Sequence, residues 1–138
     1  MNPVEIVSFL PYRKTNGEWE VFLQMRDSRA PTNPNKFSTF GGHLEEGEDS
    51  LAGLLREIKE ELVYVPVNLE YFIQDVSPRN KLFDVYIERV GTDFESKITV
   101  MEGEYGLFLP VRGLVEREDV TSISKIAVPV LIDRLEGQ

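Results

Sequence analysis

The chain has 138 residues and a formal net charge of −9, and it contains no cysteine. A chain of this length can bury one hydrophobic core, so we expect a single domain over residues 1–138. The lack of cysteine excludes disulfides, thiolate zinc sites and cysteine nucleophiles, which leaves oxygen ligands or the single histidine for metal chemistry. The negative charge argues against a nucleic-acid polymer as partner, although a small anion can still bind through a metal ion.

No stretch of the sequence approaches the ~18 consecutive apolar residues that a membrane-spanning helix needs. The amino-terminal segment also lacks the basic and apolar regions of a signal peptide. We therefore expect a cytoplasmic protein with no membrane partner.

The first 36 residues predict two paired strands followed by a loop. Residues 4–10 and 20–25 are rich in Val, Ile and Phe, and the Asn16-Gly17 pair between them is typical of a tight hairpin. Residues 27–36 contain two prolines and several turn-forming residues, which favours a loop.

The clearest helix begins at Asp49 or Ser50, either of which is a suitable N-cap, and it ends at Leu62. Glu57, Glu60 and Glu61 share one face of this helix, onto which Gly53 also projects. The apolar residues recur at the spacing of a separate helical stripe, formed by Leu51, Leu54, Leu55, Ile58 and Leu62.

The acidic face of this helix predicts either a solvated surface or a cation site. Like charges at this spacing repel by a few tenths of a kcal/mol per pair, a cost that a divalent cation would remove. Gly53 costs about 1 kcal/mol relative to alanine in a helix, and a small residue here would leave room for substrate or backbone. Helical periodicity alone leaves both interpretations open.

Further strands and a final helix are predicted downstream. Residues 69–76 and 82–90 are expected to form strands joined by a polar turn, and another strand includes residues 106–111. A short turn or helix follows near residues 112–118. Residues 124–136 predict the last helix, in which Pro129 is tolerated only near the first turn or at a kink.

One spacing pattern connects the acidic helix to the segment before it. Gly42 is followed after five residues by Glu48, and after seven more by the run from Arg56 to Glu61, Arg-Glu-Ile-Lys-Glu-Glu. This pattern resembles the signature of the Nudix hydrolase family. The resemblance implies an α/β fold, a Nudix-type α/β/α sandwich with a mixed β-sheet between helices, over the whole chain.

Two positions depart from the family pattern. The pattern ends with a glycine two residues after the last glutamate, where this chain has Val63, and many members have proline where this chain has Phe40. Because glycine at a helix end permits the left-handed conformation, Val63 predicts a different exit from the helix.

The resemblance also implies roles for individual residues. Glu57, Glu60, Glu61 and the backbone carbonyl of Gly42 match the positions that bind Mg²⁺, for which Mn²⁺ is an alternative. The three glutamates are thereby also catalytic candidates. Arg56 and Glu48 match a structural pair that braces the preceding loop against the helix.

The implied reaction is attack by water on a phosphorus atom of a diphosphate bridge. For a nucleoside triphosphate, this reaction releases the nucleoside monophosphate and pyrophosphate. A glutamate on a later loop often helps to bind the metal or to activate the water, and Glu102 and Glu104 both lie in a suitable region. We favour Glu102 over Glu104, because a Glu-Gly pair followed by a strand resembles that element of the family, and an ordinary loop acid is the alternative.

Several residues near the motif have both a functional and a structural interpretation. His43 can contact phosphate or make local hydrogen bonds. Three cations can steer phosphates or lie on the surface, and three aromatic residues can stack on a base or belong to the core. These candidates are Arg26, Arg29 and Lys36, together with Phe37, Phe83 and Tyr105.

The motif indicates the reaction more precisely than it indicates the substrate. The short length of the chain favours a nucleoside triphosphate as substrate. A nucleotide sugar, ADP-ribose or a dinucleoside polyphosphate are alternative substrates known in the family. A non-catalytic nucleotide-binding or regulatory domain on the same fold is a further alternative, although such domains usually lack one of the motif glutamates. A homodimer is an open possibility.

Overall fold

The structure is a computed structural model that describes residues 3–137. The strands are β1 (Ile6–Thr15), β2 (Glu18–Met25), β3 (Phe37–Ser38), β4 (Phe40–His43), β5 (Glu70–Val76), β6 (Leu82–Arg89) and β7 (Tyr105–Pro110). The helices are α1 (Ser50–Leu62), α2 (Phe94–Lys97) and α3 (Ser122–Glu136), and a 3-10 turn covers Leu114–Glu116.

The seven strands form one mixed sheet. Its main order is β3-β2-β1-β6-β5, with β4 paired to β1 and β7 paired to β2. Strands β1 and β6 are parallel, and the other strand pairs are antiparallel. One edge of β1 thus carries β4 near its start and β2 near its end, which places the short glycine-containing strand β4 beside the centre of the sheet.

Helices α1 and α3 cover opposite faces of this sheet. Alternation along β1 sends Val7 and Phe9 toward α1, whereas Leu10 and Tyr12 pack on the side of α3. The predicted α/β/α sandwich is therefore confirmed. The buried apolar residues of the two helices are Leu54, Ile58 and Leu62 on α1, and Ala127, Val128, Leu131 and Leu135 on α3.

Some elements differ from those expected. Leu51 and Leu55 are 48% and 40% exposed, because only the narrower stripe through Leu54, Ile58 and Leu62 contacts the sheet. Strands β3 and β4 and helix α2 are too short to show a hydrophobic period in the sequence. Helix α3 starts at Ser122, so Pro129 lies well inside it, on its exposed side.

None of the helices within residues 3–137 is long and apolar enough to cross a membrane.

Helix α1 ends in the left-handed conformation even though its cap is a β-branched residue. Val63 has φ 50° and ψ 50°, and its N–H donates to the carbonyl oxygen of Lys59 at 3.1 Å. This is the exit that a glycine would adopt, so the expectation of a different exit is wrong. The backbone geometry is kept at the expense of strain in Val63.

We predict that Val63→Gly stabilises the protein. The left-handed conformation costs an L-residue about 1–2 kcal/mol, and the side chain is 57% exposed, so its removal sacrifices little packing. Because glycine is more flexible in the unfolded chain, the net gain in unfolding free energy should be about 1 kcal/mol. Chemical denaturation measures it. Val65→Gly removes a 73% exposed valine that has no positive φ and should give no gain; equal effects of both substitutions would contradict the strain argument.

Candidate active site

The amino-terminal end of α1 is fixed by its cap and by a buried carboxylate. The side chain of Asp49 accepts a hydrogen bond from the N–H of Ala52 at 2.8 Å, so Asp49 is the N-cap. The hydroxyl of Ser50 donates to Asp84 Oδ2 at 2.6 Å. Asp84 is 3% exposed and also accepts from Gln74 Nε2 at 2.9 Å and from the hydroxyl of Tyr71 at 3.1 Å.

A second buried carboxylate holds the segment that follows α1. Glu88, which is 1% exposed, accepts from the hydroxyl of Tyr64 at 2.6 Å. Its other oxygen accepts from the backbone N–H groups of Val67 and Asn68 at 2.8 and 2.7 Å. Asp84 and Glu88 point to the same face of β6, so one strand anchors both ends of the acidic helix. Neither residue belongs to a motif in the sequence, although acids inside an apolar strand are a usable signal.

The loop ahead of the helix is braced by the predicted pair of Arg56 and Glu48. Arg56 Nε donates to Glu48 Oε2 at 2.7 Å, and Arg56 Nη2 donates to Glu48 Oε1 at 2.9 Å. Glu48 Oε1 also accepts from the backbone N–H of Glu45 at 2.9 Å. These donors, led by Arg56, lower the pKa of Glu48 to about 2. The loop is thus tied to the helix by a two-point, charge-assisted contact.

Gly53 makes room for this loop. A Cβ atom at Gly53 would overlap the side chain of Leu44 and would lie 2.9 Å from Glu48 Oε1. The glycine is buried. Its small size serves the packing of loop side chains on the helix, which corrects the expectation that it leaves room for substrate or backbone.

Glu61 is the most buried of the three helix acids. The residue is 1% exposed, and its carboxylate accepts from the N–H of Gly41 at 2.8 and 3.1 Å. Burial, together with the charges of Glu102 and Glu57, raises the pKa of Glu61 to about 9 against the opposing hydrogen bond from Gly41. The carboxyl group therefore lies among like charges in a largely dry place.

Glu57 and Glu60 both contact Arg56. Arg56 Nη1 lies 3.0 Å from Glu57 Oε1 and 3.3 Å from Glu60 Oε2. The side chain of Glu57 is 12% exposed, whereas that of Glu60 is 59% exposed. Burial raises the pKa of Glu57, and Arg56 opposes this shift. Glu57 packs against Gly42 so closely that a Cβ atom there would lie 2.9 Å from its Oε1.

The structure brings Glu102 next to these acids. The charge of Glu102 raises the pKa values of both Glu61 and Glu57, and the N–H of Met101 donates to the carbonyl oxygen of Glu61 at 2.7 Å. Glu104 lies in a different contact, because its N–H donates to the carbonyl oxygen of Met25 at 2.9 Å. Of the two loop acids, Glu102 is the one that faces the buried carboxylates.

The donor set fits a hard divalent cation. Carboxylate and carbonyl oxygens are the ligands that Mg²⁺ prefers, and the like charges around buried Glu61 are relieved by a proton or by a cation. Gly42 has no side chain to fill the space against Glu57. Across residues 3–137, no group of three or more acidic or histidine side chains is already close enough to hold an ion. The carboxylates of Glu57 and Glu60 instead form ion pairs with the guanidinium group of Arg56.

The other residues considered for substrate binding are buried, engaged in a loop contact or located on the segment between β2 and β3. Phe83 is fully buried in the core on the side of α3, so it offers no ring face to a base, and its assignment as a substrate contact is wrong. Arg26 donates to the carbonyl oxygen of Thr32 at 2.9 Å and braces the loop between β2 and β3. Arg29 is exposed and Lys36 is partly buried, both within the segment between β2 and β3.

Of the remaining candidates, Phe37 packs in the core and His43 makes local hydrogen bonds. Phe37 is 4% exposed and belongs to the core, while Tyr105 is 45% exposed. The backbone carbonyl of His43 accepts from Arg56 at 3.4 Å, and its Nε2 lies 3.2 Å from Lys81 Nζ. His43 thus makes local hydrogen bonds at the point where β4 leads into the braced loop.

We predict that Glu61 makes the stability of the protein fall as pH rises. The unfolded chain loses this proton near the ordinary pKa of 4.5, whereas the folded protein keeps it up to about pH 9. Between these values the unfolded state binds fewer protons, so the unfolding free energy falls by up to about 1.4 kcal/mol per pH unit. Denaturation at several pH values in this window, with EDTA present, measures the slope.

The Glu61→Gln variant should lose most of this slope and keep the part due to Glu57. Glu18→Gln changes an exposed glutamate at the far end of the β1–β2 hairpin and should retain the wild-type slope. Identical slopes in wild type and Glu61→Gln would show that Glu61 is ionised in the folded protein.

Comparison with solved structures places the fold among known proteins. The NUDIX domain of Shewanella oneidensis NrtR, solved with ADP ribose, gives a TM-score of 0.73 at 15% identity, covering 98% of this chain and 90% of that chain. A C. elegans Ap4A hydrolase gives 0.72 at 18% identity, covering 98% and 99%. A MutT/nudix family protein from Enterococcus faecalis gives 0.62 at 19% identity and covers 80% of this chain, which spans only 44% of that protein's length.

At these identities the structural matches establish the fold. No curated protein sequence shows significant similarity to the chain. The family model of the NUDIX domain matches residues 4–126, which include the braced loop, the acidic helix and Glu102. The family that the spacing of Gly42, Glu48 and Arg56 predicts is therefore confirmed, and the chain belongs to the NUDIX domain family.

Proposed function

We propose that this protein is a metal-dependent Nudix pyrophosphohydrolase that cleaves a diphosphate bond in a nucleoside diphosphate-linked compound. The observation that carries the proposal is the convergence of Glu102 and Glu57 on buried Glu61, beside a loop braced by Arg56 and Glu48. A protein gains no stability from gathering like charges around a buried carboxyl group, so the arrangement favours a catalytic use. Membership of the NUDIX family supports the same reaction class.

The proposed metal ligands are the carboxylates of Glu57, Glu60 and Glu61 and the carbonyl oxygen of Gly42. Mg²⁺ is the proposed ion and Mn²⁺ the alternative. When bound, the ion would lower the pKa of the attacking water and neutralise charge on the phosphate oxygens.

The remaining residues hold these groups or move a proton. Glu102 is proposed to accept the proton of the attacking water, because its carboxylate lies beside Glu61 and is exposed to solvent. Arg56 and Glu48 keep the loop on the helix. Asp84 and Glu88 fix the two ends of that helix, so they act through the position of the acids and not on the substrate.

A nucleoside triphosphate is the proposed substrate, giving a nucleoside monophosphate and pyrophosphate. A nucleotide sugar or ADP-ribose is the alternative, and the fold similarity to a NUDIX domain solved with ADP ribose supports the second of these. A non-catalytic nucleotide-binding domain is a further alternative. We propose one cytoplasmic domain over residues 1–138 with a nucleotide as its partner and no nucleic-acid polymer, and leave homodimer formation as a possibility.

The Glu60→Gln variant tests the metal site. The substitution removes a charge with little change in size, and the side chain is exposed, so folding should survive while turnover falls by about two orders of magnitude or more. Activity is measured on a nucleotide panel with Mg²⁺ or Mn²⁺, with separation of the products. Glu18→Gln is the matched control.

Three results would oppose the proposal. Full activity of Glu60→Gln would exclude Glu60 as an essential ligand. Orthophosphate released from a monoester would indicate a different phosphatase. A wild-type protein that cleaves no nucleotide in the panel would favour the non-catalytic binding domain.

The two loop acids provide an internal comparison for the proton acceptor. Glu102→Gln should lower kcat by about 10²–10⁴-fold, because it removes the carboxylate proposed to accept the proton. Glu104→Gln changes a neighbouring exposed acid without this contact and should retain wild-type kcat. The kcat values of both variants at one fixed pH are the measurement, and equal effects would exclude Glu102 as the specific base.

A further inference from the structure

A cavity of about 200 Å³ lies at the end of β4, between the β5–β6 turn and the start of α3. Arg79 and Lys81 from that turn line one side, and Thr121 and Ser122 line another. His43 also lines the cavity, and it directly follows Gly42, which faces Glu57. Because successive residues of a strand point to opposite faces, the cavity and the acidic site lie on the two sides of the end of β4.

The charge of the cavity is opposite to that of the chain. Among residues 3–137, no aspartate or glutamate lines it, although the chain has 24 acids against 15 lysines and arginines. Within the described part of the chain, Arg79 and Lys81 also form no salt bridge. Cations without acidic partners keep their full charge available for an anionic ligand.

The remaining lining supplies hydroxyl groups and no aromatic ring. A flat base is usually bound by stacking on a Phe, Tyr or Trp ring, and none of the described lining residues is of these types. The imidazole of His43 is engaged with Lys81, whose Nζ lies 3.2 Å from its Nε2. Hydroxyl groups can donate to phosphate oxygens from several directions. The five that line the cavity belong to Thr32, Ser38, Ser77, Thr121 and Ser122.

The turn that carries the two cations is held in shape. The N–H of Ser77 donates to the carbonyl oxygen of Lys81 at 2.9 Å, and the N–H of Asn80 donates to that of Ser77 at 2.8 Å. Asn80 adopts a positive φ of 62°, a conformation that asparagine tolerates. A turn fixed by its own hydrogen bonds presents Arg79 and Lys81 with little further ordering on binding.

We propose that this cavity binds a second phosphoryl group of the substrate, separate from the diphosphate that is cleaved. This inference rests on the proposed function and narrows its substrate class. Preferred substrates carry a phosphate ester or phosphate chain away from the scissile bond, and compounds that end in an uncharged sugar or base bind more weakly.

The first experiment measures anion binding without catalysis. Inorganic pyrophosphate is titrated into the protein in EDTA, and binding is followed by calorimetry and by amide chemical shifts. We expect shifts at residues 77–81 and 121–123. The dissociation constant should rise about tenfold or more in Arg79→Ala/Lys81→Ala, since both charge-assisted contacts are lost.

The matched control removes the same amount of charge elsewhere. Lys97 and Arg112 are exposed and lie outside the cavity, so Lys97→Ala/Arg112→Ala should bind pyrophosphate nearly as well as wild type. If both double variants lose affinity equally, the cations act only through net charge and the proposal is wrong. Unfolding midpoints verify that both variants fold; if Arg79→Ala/Lys81→Ala does not, Arg79→Gln/Lys81→Gln replaces it.

The second experiment compares two substrates that differ by one phosphate. With Mg²⁺, KM for ADP-ribose 2′-phosphate should be about tenfold below KM for ADP-ribose, with similar kcat. The difference should vanish in Arg79→Ala/Lys81→Ala. Equal KM values in wild type would overturn the proposal and leave the hydrolase function intact. Hydrolysis of neither compound would exclude the ADP-ribose alternative and leave hydrolysis of a nucleoside triphosphate to the nucleotide panel, and pyrophosphate binding would then decide for or against the cavity.

Discussion

The anchoring of helix α1 by two buried carboxylates of β6 is the constraint on which the acidic site depends. Asp84 holds the first residue of the helix, and Glu88 holds the segment that leaves it. A buried carboxylate is costly unless donors satisfy its oxygens, and here hydroxyl, amide and backbone donors do so. Losing any donor leaves part of that cost uncompensated, so the helix position is set sharply. Because Glu57 and Glu61 lie on this helix, its anchoring also fixes where their carboxylates lie.

The acidic site opposes the interactions that stabilise the fold around it. Glu61 occupies a position on α1 that packing alone would give to an apolar residue, and its burial near Glu57 and Glu102 raises the pKa of Glu61. The hydrogen bond from Gly41 compensates only in part. Functional sites commonly retain such local conflicts, which the surrounding core must stabilise. Here the compensation comes from the apolar side of α1 and from the braced loop.

Sequence patterns predicted the elements that are local and periodic. Helix α1 follows from its cap and apolar spacing, and the family follows from fixed distances between Gly42, Glu48 and Arg56. Asp84 and Glu88 could not be assigned roles, because their partners come from other elements. Likewise, the Glu102-Gly103 pair gave only a preference for Glu102, and the tertiary contact of the loop separates it from Glu104. The exit of helix α1 was predicted wrongly because the fold imposes on Val63 a left-handed conformation that its residue type disfavours.

The parallel pairing of β1 with β6 also determines when the acidic site can assemble during folding. The two strands are far apart in the chain, and contacts between distant segments form late because the intervening chain must first be ordered. Helix α1 can form early from its own cap and apolar stripe. Its ends are anchored only once β6 has docked beside β1, so a nascent or partly folded chain carries the helix without the arranged acids. Completion of the sheet and arrangement of the acidic residues are thus one step in folding.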